Sequence, residues 1–391
     1  MLAQSCAHVE LSEFCVLDPA GMHSRQGAAS PAFFMEVVMK TGRPLEQLVI
    51  ELERQAALKK DMIVPATKLV SETTAAGQCN LVIDEPYGKK RYLMNDFACA
   101  QLARKLDIPL LYFKRMRSFD TELLDENINA WLRINATDSY MVRTMAGRAR
   151  AFLSSRFRRL DNIDLAHSIL PILLKLPGAR FESVELTETK MYLKVVSAEV
   201  THEVVPGDVL QAGVVVSNSE IGVGRLRVDP LIYRLKCSNG LIACERSMRK
   251  NHAGRLLECG DDVVLQDDTV EAEDRAIFLK ARDMVQTAVS ETTFQLISEK
   301  MRKTMGIALT GDPVKSVEVL ANRFVLNEAE RAGVLRHLIA ERQLNGYGLL
   351  NAVTGYSQEV GDYDRATEFE EFGGKMLEFS LKEWSEVAEA Q

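Results

Sequence analysis

The sequence predicts an α+β protein, in which a central antiparallel or mixed β-sheet domain with helices is followed by an α-helical C-terminal domain. Three observations support this class. Short stretches of alternating apolar and polar residues follow one another, separated by tight turns, over residues 139–244. After about residue 257 the apolar residues recur at helical spacing. Strands joined in sequence by tight turns indicate antiparallel or mixed pairing rather than a doubly wound sheet.

Three regions are expected along the 391 residues. The first, residues 1–60, is an N-terminal segment with one helix. The second, residues 61–256, is a β-rich basic core domain. The third, residues 257–391, is an acidic helical C-terminal domain.

Helical patterns precede the main group of strands. The spacing of apolar residues predicts a helix over residues 43–60. A further helix is expected after an N-cap at Asn95 or Asp96, and two more over residues 110–117 and 121–134. Short extended pieces are predicted between the first of these helices and the second.

The middle of the chain is predicted to consist mostly of strands. Residues 139–145 and 148–153 flank Ala146-Gly147 and predict a hairpin. A helix opened by Asn162 follows, and ends at Pro177-Gly178. The later predicted strands are residues 181–187, 190–200, 209–217, 224–228, 231–237 and 241–244.

The C-terminal third is predicted to be helical. Residues 268–303 have the pattern of one long helix. Asp312-Pro313 is a cap followed by a proline, which is a common way for a helix to begin. Asn327 with Glu330 forms a capping-box pair for the next helix.

Composition excludes several classes of protein. Hydrophobic residues make up 47% of the chain and charged residues 26%, which is ordinary for a globular protein. We find no apolar run near the roughly 18 residues of a membrane span, and no basic-then-apolar secretory leader. Seven scattered cysteines argue against a disulfide framework and for a reducing compartment. We expect a cytoplasmic protein without membrane partners.

No cofactor or metal site is predicted. Cys237, Cys244, His252 and Cys259 are separated by gaps of six, seven and six residues, without the short knuckles that pre-form a zinc site. No Walker-type phosphate loop or dinucleotide fingerprint is present. No residue is therefore assigned a catalytic role.

The net charge of −7 conceals an uneven distribution. Residues 89–160 hold fifteen Lys or Arg against seven Asp or Glu, and residues 223–255 hold eight against two. Residues 257–300 reverse this, with eleven acids against four bases, and residues 356–391 have ten against three. A basic centre is thus joined to an acidic C-terminal third.

The hairpin carries the densest positive charge. With a two-residue turn at Ala146-Gly147, Arg143 is predicted to lie opposite Arg150, with Phe152 on the same face. Two arginines paired across antiparallel strands repel each other, and an anion between them would remove that cost. Six arginines and no acid over residues 141–160 would suit a phosphate backbone with a base stacked nearby. A solvated face, or arginines paired with distant carboxylates of the acidic third, is the alternative.

A second basic group begins at Arg225. Arg234 and Lys236 alternate with apolar residues, so they are predicted to share one strand face and to form one groove with the hairpin. A polar outer sheet face is the alternative. The residues predicted to bind nucleic acid are Arg143, Arg148, Arg150, Phe152, Arg156, Arg158, Arg159, Arg225, Arg227, Arg234 and Lys236.

Several phrases of the sequence resemble the phage/plasmid-like protein family, domain of unknown function 932. They are residues 102–109, 150–157 with 161–162, 216–222, 237–242 and 348–354. They occur in the family's order and span about residues 90–370. The resemblance implies carriage on phages, prophages and plasmids, and no known reaction. A more distant similarity of architecture is to single-strand annealing proteins.

These observations predict a nucleic-acid-binding protein of phage or plasmid DNA metabolism. Single-stranded DNA is the favoured ligand, for binding or for annealing. The alternatives are an enzyme acting on nucleic acid, and a protein-interaction module whose basic face docks on an acidic partner. An enzyme would show carboxylates converging on the basic face, whereas an interaction module would have that face already covered. Homo-oligomer formation is left open.

Overall fold

The computed structural model describes residues 42–252 and 267–391, and its fold is α+β as predicted. The strands are β1 (Lys59–Pro65), β2 (Leu69–Thr73), β3 (Cys79–Glu85), β4 (Gly88–Met94), β5 (Ser139–Met145), β6 (Arg148–Ser154), β7 (Ala179–Leu186), β8 (Met191–Val205), β9 (Asp208–Asn218), β10 (Leu226–Arg234), β11 (Asn239–Ile242) and β12 (Met248–Lys250).

The helices are divided between the two described segments. They are α1 (Leu45–Leu58), α2 (Asp96–Lys105), α3 (Leu110–Phe119), α4 (Thr121–Ile134), α5 (Asn162–Leu173), α6 (Asp267–Ala288), α7 (Glu291–Thr304), α8 (Pro313–Phe324), α9 (Glu328–Glu341), α10 (Gly346–Tyr356), α11 (Tyr363–Leu377) and α12 (Leu381–Ala388). No helix in the described part of the chain is both long and apolar enough to cross a membrane.

The strands form two six-stranded sheets. The first sheet has the order β1-β5-β6-β4-β3-β2 and is mixed, because β4 runs parallel to β6. The second has the order β11-β10-β9-β8-β7, with β12 also paired to β10, and its pairs are antiparallel. Both outcomes fall within the predicted antiparallel or mixed pairing.

Helices α2, α3 and α4 cover one face of the first sheet and enclose a core with it. The free edge of β2 is bonded to side chains of α4. The Asn129 amide accepts from the backbone N–H of Ser71 (2.7 Å) and donates to its carbonyl (3.0 Å), and Asp125 accepts from the N–H of Thr73 (2.5 Å). Backbone groups that would otherwise be open at this edge are therefore satisfied within the molecule.

The second sheet packs against helices from both ends of the chain. One core joins β8, β9 and β10 to α1, α5 and α6. Farther along the same strands, a second core joins Leu210, Ala212 and Ile232 to residues of the C-terminal helices. The helices that follow residue 257 therefore share their hydrophobic cores with the second sheet. Among the described residues, the change from strands to helices near residue 257 does not separate one hydrophobic core from another.

Local signals located most elements, with two differences. The helix predicted over residues 268–303 is two helices, because the Ser290 side chain accepts from Thr293 N and caps a new one. The two strands predicted over residues 224–237 are the single strand β10, which tolerates Pro230 because that residue lies between the stretches paired with β12 and with β11.

Candidate nucleic-acid interface

The predicted opposition of Arg143 and Arg150 is wrong. Ala146 and Gly147 have positive φ values of 48° and 77°, as a two-residue hairpin turn needs, and Met145 lies opposite Arg148 as predicted. The register then shifts between Arg143 and Thr144, so that Arg143 pairs with Ala151. Arg150 is the extra residue of a β-bulge, and the two arginines do not form a cross-strand pair.

Arg143 is directed into the protein, where acids surround it. It donates to both carboxylate oxygens of Asp61, which lies opposite it on the neighbouring strand β1, at 2.9 and 2.8 Å. It also donates to Asp161 Oδ1 at 2.6 Å. A third contact goes to the Glu220 carbonyl at 2.6 Å. Burial disfavours the charge, but Asp161 and Asp61 outweigh it and raise the pKa of Arg143. With 0% of its surface exposed, Arg143 cannot contact a phosphate in this conformation.

Phe152 also lies in the interior, which corrects its predicted place beside a bound base. It is 1% exposed, belongs to the core beneath α2, and has its ring centroid 4.7 Å from that of Tyr140. Its backbone N–H donates to Gln101 Oε1 of α2 at 2.9 Å. The bulge at Arg150 displaced Phe152 from the face that simple alternation had assigned to it.

Three predicted arginines pair with acids of the C-terminal third. Arg158 contacts Glu273 (2.7 Å) and Asp274 in α6. Arg234 binds Asp208 (2.7 Å) and reaches Glu341 of α9 (3.0 Å). The third, Arg227, contacts Glu371 of α11. The alternative of arginines paired with distant carboxylates therefore holds for this part of the set.

The remaining predicted residues lie at the surface. Arg148, Arg156, Arg159, Arg225 and Lys236 are exposed. Of these, Arg148, Arg159, Arg225 and Lys236 make no ion pair with a described residue.

The residues predicted to form a single groove are separated, because they lie at opposite ends of β10. Lys236 lies beyond the end of that strand, next to Arg234. From Leu226 to Arg234 the strand spans about 26 Å at its usual rise. Arg234 and Lys236 therefore lie at the opposite end of the strand from Arg225 and Arg227.

Arg148, Arg150, Arg225 and Arg227 border three adjoining depressions, whereas Arg156, Arg158 and Arg159 line none of them. A depression of about 410 Å³ lies between the β5–β6 turn, the β7–β8 turn and α1. A second, of about 310 Å³, lies beside the start of β10 and α11, and Lys190 lines both. A third, of about 430 Å³, shares Gly224 and Arg225 with the second. We call these three adjoining depressions the basic trough.

Positive charge predominates along the basic trough. Its described lining includes eight Lys or Arg residues and three acids. The cations are Arg54, Arg148, Arg150, Lys190, Arg225, Arg227, Arg249 and Lys375, and the acids are Glu188, Glu220 and Glu371. Sequence reasoning missed Arg54, Lys190 and Lys375, because each is isolated among neutral or acidic neighbours and only the fold brings it to the trough.

Two trough arginines are held by acids and keep unused donors. Arg150 Nη2 donates to Glu220 Oε2 at 2.6 Å. Arg227 contacts Asp229 (2.8 Å) and Glu371. The Nε atoms of both arginines are buried without a hydrogen-bond partner. These acids orient the guanidinium groups but do not satisfy all of their donors.

Aromatic side chains at the basic trough are buried rather than presented to a ligand. Tyr192 lines the second depression and is 2% exposed, and Phe157 lines the third and is 8% exposed. Phe157 stacks on His252 with ring centroids 5.1 Å apart. The arrangement favours contacts with phosphate over stacking with bases.

Carboxylates do converge near the hairpin, but their positions favour a structural role. Asp61, Asp161 and Glu220 surround Arg143, and Lys59 donates to Asp161 at 2.5 Å. Burial would raise the pKa of Asp161, but Arg143 and Lys59 outweigh it and lower the pKa to about 2. Within residues 42–252 and 267–391, no group of three or more His, Cys, Asp or Glu side chains is placed to hold a metal ion.

The chain was compared with family models, curated proteins and solved structures. None matches it. The resemblance to the phage/plasmid-like family stays a prediction.

Proposed function

We propose that the protein binds single-stranded nucleic acid along the basic trough, mainly through the phosphate backbone. The observation that carries the proposal is the joining of three depressions by shared lining residues, with eight cations against three acids. Phosphates neutralise such a surface and release counterions, which gives affinity without sequence preference.

The size of the depressions favours one strand over two. Volumes of about 310–430 Å³ match ligands of small-molecule dimensions, so each depression would accommodate about one nucleotide. A duplex, whose outer surface is convex, would contact only the rim. Because aromatic residues at the trough are buried, bases of a bound strand would stay free to pair, which is what annealing requires. The family resemblance adds the context of phage or plasmid DNA metabolism to this proposal.

Fluorescence-anisotropy titration of labelled single- and double-stranded oligonucleotides, at a low and a physiological salt concentration, tests the proposal. We expect a Kd on the order of 10⁻⁴–10⁻⁶ M for the single strand at physiological salt. The double variant Arg148→Ala with Arg225→Ala should bind more weakly. Its log–log salt slope on the single strand should be shallower by about 1.4 units, or about 0.7 for each lost phosphate contact.

A matched control removes the same charge elsewhere. Arg302 and Arg331 are exposed on α7 and α9, away from the basic trough. Their double replacement by alanine should leave the salt slope of the wild type in place. If both double variants weaken oligonucleotide binding equally, binding depends only on the net charge of the protein and not on the basic trough. A wild-type chain that binds no oligonucleotide even at low salt would refute the proposal and leave an acidic protein as the partner to test.

A further inference from the structure

The first depression of the basic trough lies beside the bulge of the hairpin. Arg148 and Arg150 both line it, and Arg150 is the extra residue of the bulge. Bulges are frequent next to binding sites, where they redirect a side chain. Lys190 lines the depression from the other sheet, with its Nζ 5.8 Å from the centroid of the Tyr192 ring. Arg148 and Lys190 make no ion pair within the described residues.

Glu220 holds two donors of this depression in place. Its Oε2 accepts from Arg150 Nη2 at 2.6 Å, and its Oε1 accepts from the backbone N–H of Asn162, the first residue of α5, at 2.7 Å. Both oxygens of this carboxylate, which is 5% exposed, are therefore engaged. The Nη1 atom of Arg150 has no partner among the described residues and, unlike Nε, is not buried. Glu220 thus orients the guanidinium group and leaves Nη1 for a ligand.

Asn162 places a further unpaired donor at the first depression. The residue is 4% exposed and lines the depression. Its Oδ1 accepts from Asn218 Nδ2 at 2.9 Å, whereas its own Nδ2 donates to no described residue and is not sealed from solvent. A side chain buried this deeply usually has its polar atoms paired. The free Nδ2 therefore faces the depression, where an oxygen of a ligand would complete its hydrogen bonding.

The other charged groups at the first depression already have partners. Arg54 donates to both carboxylate oxygens of Glu51 at 2.7 Å. Glu188, which is exposed, accepts from Asn95 Nδ2 at 2.8 Å. The positive charge available to a ligand is therefore mainly that of the two cations without an ion pair, Arg148 and Lys190.

We propose that the first depression is a specific site for a phosphate monoester. Such a group carries about −1.5 to −2 charges at pH 7 and three acceptor oxygens, which matches two unpaired cations together with Arg150 Nη1 and Asn162 Nδ2. An internal phosphate of a strand carries a single charge and would leave part of this donor set unused.

The end of a nucleic-acid strand and a free mononucleotide both offer a phosphate monoester. The position of the site favours the strand end, and this part of the inference rests on the proposed function. The first depression shares Lys190 with the second and no lining residue with the third, so it lies at one end of the basic trough. A strand that follows the trough would therefore place its terminal phosphate there.

Short single-stranded oligonucleotides of one sequence test the strand end. They are labelled at an internal base, carry a phosphate at the 5′ end, at the 3′ end or at neither, and are titrated with the full-length protein at physiological salt. We expect a phosphate at one of the two ends to tighten binding about tenfold, the size of one charge-assisted hydrogen bond. Equal tightening by both ends would reflect added charge, and equal binding of all three would show that no strand end occupies the depression.

Arg148→Ala and Arg225→Ala are matched variants. Each removes an exposed arginine, the first from the first depression and the second from the other two. Both should weaken binding of the unphosphorylated strand, but only Arg148→Ala should lose the advantage of the terminal phosphate. Loss of that advantage in both variants would overturn the assignment to the first depression.

The variant Asn162→Asp replaces the amide donor by a carboxylate of the same shape. It should abolish the advantage of the terminal phosphate, because a carboxylate repels a phosphate and cannot donate to it. A folded Asn162→Asp protein that keeps the full advantage would contradict the role of Asn162. If this variant fails to fold, the comparison of the two arginine variants still decides the proposal.

Deoxyadenosine monophosphate and deoxyadenosine, titrated into the wild type by calorimetry, separate this inference from the proposed function. If the monophosphate alone binds, and Arg148→Ala weakens it, the site stands even without a preference for strand ends, and its ligand is a free mononucleotide. The same result for a protein that binds no oligonucleotide would retain the site and refute the proposed function. Oligonucleotides bound without end preference, with neither small ligand bound, would refute the site and retain the proposed function. A protein that binds none of these ligands would refute both.

Discussion

Arginines from the same two basic stretches of the sequence occupy two different environments in this protein. Arg143, Arg158 and Arg234 are 0–4% exposed and are enclosed by carboxylates. Arg148 and Arg225 are exposed at the basic trough and make no ion pair with any acid in the described part of the chain. The comparison shows that a high density of Lys and Arg along a chain does not predict where each side chain lies in the fold or what it does there. What separates the two groups is whether the fold brings an acid to each guanidinium.

The largest effect is expected at Arg143. The variant Arg143→Met would leave Asp61 buried without its cation, and loss of one partner of a buried pair typically costs about 3–5 kcal/mol of the free energy of unfolding. Urea denaturation measures this. The variant Arg148→Ala, which lies on the same hairpin, should change stability by no more than about 0.5 kcal/mol. An unchanged midpoint for Arg143→Met would remove the distinction between the two environments.

Phe152 gives a second test, because the buried and ligand-stacking interpretations lead to opposite results. We expect Phe152→Ala to lower the free energy of unfolding by about 3–5 kcal/mol, as for a phenylalanine removed from a core. Oligonucleotide affinity of the folded fraction should stay unchanged. A stable variant whose single-strand binding is weaker by about 1–3 kcal/mol would instead restore Phe152 as a base-stacking residue.

Protonation of His252 tests how well water is excluded beneath the third depression. Burial lowers the pKa of His252 to about 4, and its Nε2 has no hydrogen-bond partner. As pH falls, the unfolded chain takes up the proton first, near pH 6.5. The contribution of His252 to stability is therefore complete above about pH 6.5, declines as pH falls, and levels off below about pH 4.

The loss from this single group is at most about 3 kcal/mol. Urea midpoints across this pH range should fall more steeply for the wild type than for His252→Asn. The groups that act on His252 electrostatically are Arg143, Asp161 and Glu220. Identical pH profiles for the two proteins would mean that His252 is hydrated in solution.

The smallest effect is expected for Glu371, the acid that faces the basic trough from α11. Glu371→Gln should tighten single-strand binding by about 0.2–1 kcal/mol, which is the usual size of a partly exposed charge interaction. Arg227 keeps Asp229 as a partner and gains freedom to meet a phosphate. The control Glu368→Gln lies on the same helix but pairs with Arg365 outside the trough. Tightening by the control alone, or by both equally, would mean that the acid at the trough has no special role.

Elements fixed by local chemistry could be predicted from the sequence. Asp312 caps α8 and Asn327 with Glu330 forms the capping box of α9, as expected from three or four neighbouring residues. The hairpin turn at Ala146-Gly147 was also correct.

The candidate site could be predicted only in part. Arg143 and Asp61 are 82 residues apart, and no local pattern in the sequence predicts that they pair. The bulge at Arg150 also could not be predicted locally, and that single extra residue placed Phe152 on the opposite face of the hairpin from Arg143. Arg148 and Arg225 were placed at the surface correctly, whereas Lys190 and Lys375 needed the fold.

The bonding of β2 to α4 has a consequence for how this protein behaves at high concentration. An open strand edge invites a strand of another molecule to pair with it, and such pairing can propagate into aggregates. Here Asn129 and Asp125 already occupy the positions that a foreign backbone would take at Ser71 and Thr73. The first sheet therefore has one edge that cannot seed assembly as long as α4 stays folded, and folding of α4 becomes a step that protects newly made chains from each other.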